Sequence, residues 1–373
     1  MVNEKLNIGL ITLPIDSSGP VTLSKVVKIL YDLNCKIYLI TGNDGFKSFE
    51  NDKRVELYGL QYSSGKSTLT RILKYIYLQL WLSYVILINY KNLDLCIFIF
   101  ANGLILPMIT AKILKKRIIE ICTGSTIQVL EASNDKLVNI FSILSKLSYT
   151  ISDSIVMYSS SMIKEYNLER LSNKMVINNH HFIDISKFNI TKPFEERNKL
   201  IGFVGRIDAE KGCMNFVKSL KYVNPEYNVK YIIIGDGPLK EGIINYIKNN
   251  EIENQVKMLG WIENDKIPAY LNELQLLVLP SYTEGLPSIL LEAMACGTPI
   301  LSTQVGAVRD LIIDGNNGFV MESNSPKCIA SNLMRVLNHS NNGEVIENAR
   351  HLIEHDYDFE YIKEKWKGML NIC

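Results

Sequence analysis

"LQLLVLPSYTEGLPSILLEAMACGTPI", residues 274–300, decides the fold class. Its first apolar run reads as a strand buried on both faces and stops at Pro280, and the polar loop beyond carries Glu284 and Gly285. An apolar helix then starts with Pro287 in its first turn, where a missing N–H does no harm, and Gly297 ends it. Strand, short loop and returning helix are the repeating piece of a parallel α/β sheet. The N–H groups of Ser288, Ile289 and Leu290, with the helix dipole behind them, form an anion site suited to a phosphate. Glu292 sits among apolar residues nearly all round, so its carboxylate is buried and needs a partner. Vicinal hydroxyls of a ligand would serve, as would a backbone amide or a neighbouring cation.

The same pattern recurs outward from this stretch. "GFVGRIDAEKG", 202–212, is a strand end at Val204, a turn at Gly205 that lets the chain pass close to a ligand, and two cations, Arg206 and Lys211, around the next helix start. A guanidinium fork and an ammonium at one strand's C-terminal end suit a diphosphate; a solvated pair is the competing reading. "IIIGDGPLK", 232–240, sets Gly235-Asp236-Gly237-Pro238 directly after a strand, with Pro238 as the expected helix start; a ligand approach and a tight turn explain it equally. Strand and helix candidates also alternate from "NIGLITLP" to "KRIIEIC" in the first half. The rhythm breaks at 179–198, "NHHFIDISKFNITKPFEERN". The expected architecture is therefore α/β, two Rossmann-like doubly wound domains facing a central cleft, with ligand contacts in the strand-to-helix loops. The amphipathic end, with Phe359, Ile362, Trp366 and Met369 on one face, should pack against the rest.

Composition narrows the function. With 373 residues and 47% hydrophobic side chains, two cores can be filled. Forty basic against 39 acidic residues leave a net charge of +1, which removes the electrostatic footprint of a nucleic-acid binder. The seven cysteines are scattered and form no C-x-x-C pair, so reduced thiols in the cytoplasm are expected, and "MVNEKLNIGLITLP" lacks the basic start of a signal peptide. "YIYLQLWLSYVILINY", 75–90, falls short of a bilayer span and is interrupted by Gln79, Ser83 and Asn89. It reads as a core helix or a surface-docking one, with Arg71, Lys74 and "KILKKR" (112–117) available to anionic headgroups. Just before it, "GLQYSSGKST", 59–68, imitates a phosphate-binding P-loop, but the spacing to Gly65-Lys66-Ser67 requires glycine at 60, where Leu60 stands. A loop capping the helix through Ser67 or Thr68 is expected instead.

The second half resembles the retaining glycosyltransferases of family 4, which have the GT-B fold. The residues that carry the resemblance are Glu284 and Glu292 in the E-x7-E pattern of "EGLPSILLE", Arg206 and Lys211 in "GRIDAEKG", "GDGP", "LGWI" ending at Ile262, and "GNNGFV" at 315–320, in the family's order. The resemblance implies a nucleotide-sugar donor, a UDP- or GDP-sugar, with no cofactor and no metal. It implies that Arg206 and Lys211 hold the diphosphate, Glu292 the ribose and Glu284 the donor sugar, while Gly205, Asp236, Ile262, Gly285, Leu286, Pro287 and Ser288 line the site. It further implies domains at 1–190 and 196–355 and a closing segment, 356–373, that returns to the first domain. Departing charge on the diphosphate would be met by the two cations and the helix start. The first domain matches less closely. Only Gly19 remains of a Gly-Gly turn, followed by Pro20, and Thr123, Gly124 and Ser125 stand where the family often has a histidine. His180 and His181 are expected to be structural. The implied activity is sugar transfer to a glycan or lipid-linked acceptor in polysaccharide or cell-envelope synthesis, with peripheral contact to the membrane's inner face among the expected partners. A non-catalytic nucleotide-sugar-binding subunit is the alternative, and a P-loop ATPase the remote one.

Overall fold

Val55–Leu60, the strand that leads into "GLQYSSGKST", contains both Gly59 and Leu60 and pairs them with Thr41 and Gly42. No phosphate loop can begin there, because Gly59 is ladder backbone; a Cβ on it would lie 1.8 Å from the Phe46 ring. Ser67 instead accepts the Thr70 amide at the start of the long helix, and Thr70 accepts the Ser67 amide in return. Lys66 lies outside the described residues. The computed structural model describes residues 5–15, 19–63, 65, 67–124, 126–132 and 135–372.

The chain divides into two compact units. Unit 1 comprises Met1–Ile127, Asp135–His181 and Ile362–Cys373, and unit 2 comprises Gln128–Asn134 and Phe182–Tyr361. The change of unit at His181 and Phe182 falls inside the polar stretch 179–198, so residues 182–190 group with unit 2 rather than with the first domain's expected 1–190.

Strands and helices alternate, with two helices in succession only after β5: β1 (Asn7–Thr12), α1 (Gly19–Asp32), β2 (Lys36–Gly42), α2 (Asp44–Phe49), β3 (Val55–Leu60), α3 (Thr68–Ile88), β4 (Leu95–Ile99), α4 (Ile105–Ile113), β5 (Arg117–Ile121), α5 (Thr126–Ala132), α6 (Val138–Ile151), β6 (Ser154–Met157), α7 (Ser160–Glu165) and β7 (Met175–Ile177). Seven parallel strands result, ordered β3-β2-β1-β4-β5-β6-β7. The central ones are apolar at nearly every position because helices cover both faces.

Unit 2 repeats the plan with β8 (Leu200–Val204), α8 (Cys213–Ser219), β9 (Lys230–Ile234), α9 (Lys240–Asn249), β10 (Val256–Gly260), α10 (Ile267–Leu271), β11 (Leu276–Leu279), α11 (Ser288–Ala295), β12 (Ile300–Thr303), α12 (Val308–Leu311), β13 (Phe319–Met321), α13 (Pro326–Leu337) and α14 (Asn342–Asp356); α15 (Phe359–Leu370) follows and passes into unit 1 at Ile362. Its sheet order is β10-β9-β8-β11-β12-β13, so the winding reverses between β8 and β11. An open α/β sheet binds its ligand at such a reversal, beyond the C-terminal strand ends. α9 begins at Lys240, two residues past Pro238, which sits in the preceding turn.

The last twelve residues group with unit 1, where Ile362, Trp366, Met369 and Leu370 are buried. The Trp366 indole N–H donates to the Asn179 carbonyl at 2.7 Å, and the Arg117 guanidinium donates to the Met369 carbonyl. His180 and His181 lie buried beside them, stacked on one another at 4.4 Å with Tyr158 edge-on to both. Burial, with Lys25 adding to it, pushes the His180 imidazole down to about 3.

Glu120 of β5 is fully buried between Phe98 and Ile155 in the ladder. Burial pushes its carboxyl up to about 8, against the hydroxyls of Ser152 and Ser148, which lie at 2.9 and 3.0 Å and hold it down. Each hydroxyl also reaches a helix carbonyl, Ser152 that of Ser148 and Ser148 that of Ser145. A hydroxyl has one proton, so a neutral Glu120 can donate to one serine, which then donates onward to the helix. The unfolded chain loses this proton near 4.5 and the folded chain near 8, so Glu120's contribution to stability is full below 4.5 and is lost as pH rises through 8. His180 acts oppositely, lowering stability as pH falls from 6.5 toward 3, which leaves 6.5–8 as the window where Glu120 stands alone of the two. The unfolding free energy from urea titrations should fall across that window by up to roughly 1.4 kcal/mol per pH unit in the wild type. In Glu120→Gln this Glu120 component of the slope should vanish; an unchanged slope would reject the buried proton.

Candidate active site

All of the acidic and basic residues singled out in the second half belong to unit 2. β8 and β11 are neighbours, with Leu276 beside Ile201 and Leu277 beside Gly202, so their C-terminal loops emerge together at the reversal of the sheet. Two glycines set how closely these loops and the one after β12 can approach. Gly212, at φ +70°, would place a Cβ 2.2 Å from the Pro280 carbonyl oxygen, and Gly306, at φ +54°, would place one 2.0 Å from that of Glu284. The Tyr282 amide donates to the Glu210 carbonyl at 2.7 Å, and the Ala307 amide to that of Gly285 at 2.9 Å. Three loops are thereby stitched into one rim.

On this rim Glu284, 8% exposed, is held by both oxygens: Oε2 takes the Lys211 ammonium at 2.8 Å and Oε1 the Ser281 hydroxyl at 2.7 Å. The Lys211 amide donates to Asp208 at 3.1 Å, and its Nζ lies 3.9 Å from Glu210. Arg206, half exposed, pairs with Glu210 and, at 3.3 Å, with Asp208. Burial lifts the Glu210 carboxyl above its ordinary value, Lys211 and Arg206 hold it down, and Asp208 and Glu284 raise it further. Two cations thus share three carboxylates. An ammonium carries three donors, so Lys211 can serve Glu284 and a second anion together.

α11 starts beside this network. Pro287 is its N-cap residue and supplies no side-chain cap. Leu286 is buried, while Gly285, Pro287, Ser288 and Ile289 are half-buried. One turn on, Glu292 is 7% exposed, and its negative charge adds to burial in pushing the Cys296 thiol up to about 12. At the far end the guanidinium of Arg197, 4% exposed, donates to the carbonyls of Cys296 (2.8 Å), Leu274 (3.1 Å) and Lys192 (3.0 Å) and to the Thr298 hydroxyl (3.0 Å). Arg350 donates to the Ala295 carbonyl there as well. Cations at a helix C-terminus complement its dipole.

The loops after β9 and β10 close one flank. Gly205 donates its amide to Ile234, Ile207 to Asp236, and Gly235 to Gly260. Asp236 is exposed, accepts the Gly237 amide and pairs with Lys240 at 2.7 Å. Ile262 is half-buried just past β10. The remaining expected positions belong to unit 1. Gly19 opens α1, where a Cβ would lie 2.9 Å from Cβ of Ile15, and Thr123 and Gly124 are half-buried after β5, the Gly124 carbonyl accepting the Cys122 thiol. Ser125 lies outside the described residues.

Glu210, Ser281, Gly306 and Arg197 escaped the sequence reading. A signal existed for Glu210, which stands four after Arg206 and next to Lys211, and for Ser281, three before Glu284. None existed for Arg197, whose partners other than Lys192 lie 77 to 101 residues away.

Residues 184–354 match the family described as Glycosyl transferases group 1. The chain is similar to the GalNAc-alpha-(1->4)-GalNAc-alpha-(1->3)-diNAcBac-PP-undecaprenol alpha-1,4-N-acetyl-D-galactosaminyltransferase of Campylobacter jejuni, 31% identical over 250 residues, which are 65% of this chain and 67% of that one. It is also similar to the 2-deoxystreptamine N-acetyl-D-glucosaminyltransferase of Niallia circulans, 29% identical over 284 residues and 72% of each chain. Among solved structures, Anabaena HepE in complex with UDP superposes with a TM-score of 0.77 over 99% of this chain and 100% of that one, at 16% identity, a likeness of fold.

Proposed function

Because the chain belongs to the group 1 glycosyltransferases, we propose that it is a retaining, metal-independent transferase that moves a sugar from a UDP- or GDP-sugar to a glycan or lipid-linked acceptor. We place it in the cytoplasm, in polysaccharide or cell-envelope glycan synthesis. The observation that carries the reading is the pairing of Lys211 with Glu284 beside the side-chain-uncapped start of α11, at the reversal of the unit 2 sheet. An ammonium and a helix N-terminus are there for a diphosphate, and a carboxylate and backbone groups for hydroxyls. The name of the Campylobacter jejuni relative supports the acceptor class, since it specifies a glycan linked to PP-undecaprenol. HepE, crystallised with UDP, supports the donor class.

In this reading Arg206 and Lys211 hold the diphosphate, Glu292 the ribose hydroxyls and Glu284 those of the sugar. Gly205, Asp236, Ile262, Gly285, Leu286, Pro287 and Ser288 line the donor. Scission of the sugar–phosphate bond moves negative charge onto the diphosphate, which the two cations and the helix dipole stabilise. On the same face of the sugar, a phosphate oxygen of the leaving group takes the acceptor's proton.

Losing two charge-assisted hydrogen bonds removes about 2–4 kcal/mol, so Glu292→Ala should weaken UDP or GDP binding on the order of 100-fold. Calorimetric titration of the folded variant with each nucleotide, with and without EDTA, measures this. An unchanged Kd would remove Glu292 from the site, and EDTA sensitivity would remove the metal-independent mechanism.

A further inference from the structure

α3 is apolar on two faces, and unit 1 covers one of them. Leu78, Leu82, Val85 and Ile86 enter the core beside Ile11, Phe98 and Met108. The three polar residues that interrupt the segment also serve the protein. Gln79, 7% exposed, accepts the Leu106 amide at the start of α4; the Ser83 hydroxyl bonds the Gln79 carbonyl; Asn89, 6% exposed, accepts the Tyr58 hydroxyl. That leaves Leu69, Leu73, Ile76, Leu80, Tyr84 and Leu87 as an outward stripe at helical spacing, between 44% and 67% exposed. α4 packs along α3 and α6 along α4, and they extend the apolar face with Ile113 and Ile143, 75% and 68% exposed. Exposed apolar side chains gathered on neighbouring packed helices mark a docking surface.

Charge indicates what docks. α3, α4 and α6 carry four basic residues, Arg71, Lys74, Lys112 and Lys146, and no acidic one. Arg71 and Lys112 are paired with Asp135 and Asp153 at the helix margins, while Lys91 and Lys115 stand exposed just past α3 and α4. Two copies of such a face would set lysine against lysine. An anionic bilayer surface would accept both the aliphatic stripe and its basic rim, and tyrosines such as Tyr77 and Tyr84, 58% and 59% exposed, suit its interfacial zone.

We infer that the outer face of α3, α4 and α6 lies on an anionic phospholipid membrane, with α3 in the plane of the interface. By length and composition α3 could also cross a bilayer. Its buried stripe forbids that, because leaving the core would strip the sheet of Leu78, Leu82, Val85 and Ile86. The inference concerns the setting of the acceptor and does not depend on the donor chemistry of unit 2.

Flotation of the full chain with vesicles tests it. The wild type should float with phosphatidylcholine vesicles containing phosphatidylglycerol, lose most of that binding in 0.5 M NaCl, about 4 Å of screening length, and stay behind with phosphatidylcholine alone. Leu73→Glu/Leu80→Glu should reduce the floating fraction at least tenfold, and Lys91→Glu/Lys146→Glu should reduce it severalfold. Circular dichroism and UDP affinity should stay unchanged in both double variants, which separates lost docking from lost fold. Absence of flotation, or equal flotation of Leu73→Glu/Leu80→Glu, would overturn the inference. So would a wild-type dimer in light scattering that this variant converts to monomer, which would assign the face to a second copy. Flotation without sugar transfer would count against the proposed activity alone.

Discussion

Lys211→Ala is expected to lower kcat/KM for the nucleotide sugar about 10²–10³-fold, the range seen when one preorganised charge-stabilising donor is removed. The size follows from two losses at one position. In the proposed reaction the ammonium would meet the charge that grows on the diphosphate, and it also holds Glu284, 2.8 Å away, in a setting where the carboxylate is 8% exposed. Without it, Glu284 retains the Ser281 hydroxyl but faces Glu210 across a rim that has lost one of its two cations. Lys211→Arg separates the two roles, since a guanidinium can keep the Glu284 ion pair while changing the geometry of a point contact. Steady-state kinetics below each variant's unfolding temperature, combined with Glu284→Gln in a double-mutant cycle, measures the coupling. A kcat/KM within threefold of wild type in folded Lys211→Ala would dismiss the assignment.

Arg197→Met is expected to destabilise unit 2 by about 3–5 kcal/mol, since each buried acceptor left without its donor costs about 1–3 kcal/mol and several are left together. Three carbonyls and a hydroxyl converge on this guanidinium, and methionine offers them no proton. The residue ties the chain entering unit 2 to the start of β11 and to the C-terminal end of α11, so the loss is felt under the candidate site. For a unit of this size the unfolding temperature should fall by roughly 6–20 °C. Arg197→Lys should recover only part, because an ammonium cannot spread its donors over the same fork. Calorimetry of the three proteins reads the effect, and a melting temperature unchanged in Arg197→Met would contradict it.

These two residues show how differently the site was legible. Lys211 stands in a recognisable setting: a strand, a glycine turn, two cations and a helix start, all within "GFVGRIDAEKG". Arg197 stands in a polar linker, and nothing local distinguishes it from Lys192 or Lys199. The units change at His181 and Phe182, within the stretch 179–198 where the rhythm of strands and helices breaks; a broken rhythm marks a region and not the residue where packing changes partner. The P-loop imitation at 59–68 failed on spacing alone, and the structure adds the reason, a ladder position for Gly59 and a capping position for Ser67.

What the sequence by itself determined rests on interactions of short range. Periodicity set the alternating strands and helices, Pro287 and Gly297 bounded α11, and the spacing of Glu284 and Glu292 placed one carboxylate before the helix and the other on its buried side. What only the tertiary structure decided rests on contacts between residues far apart in the chain. Lys211 reaches Glu284 across 73 residues, and the Glu120 carboxyl is pushed up because it is buried between β4 and β6, against the pull of two serine hydroxyls from another helix and its cap. The outer stripe of α3 is written in the same residue types as the stripe it buries, and the packing of unit 1 decides which of the two remains in water. An apolar side chain specifies that it will seek cover; its neighbours in space decide whether the cover is protein.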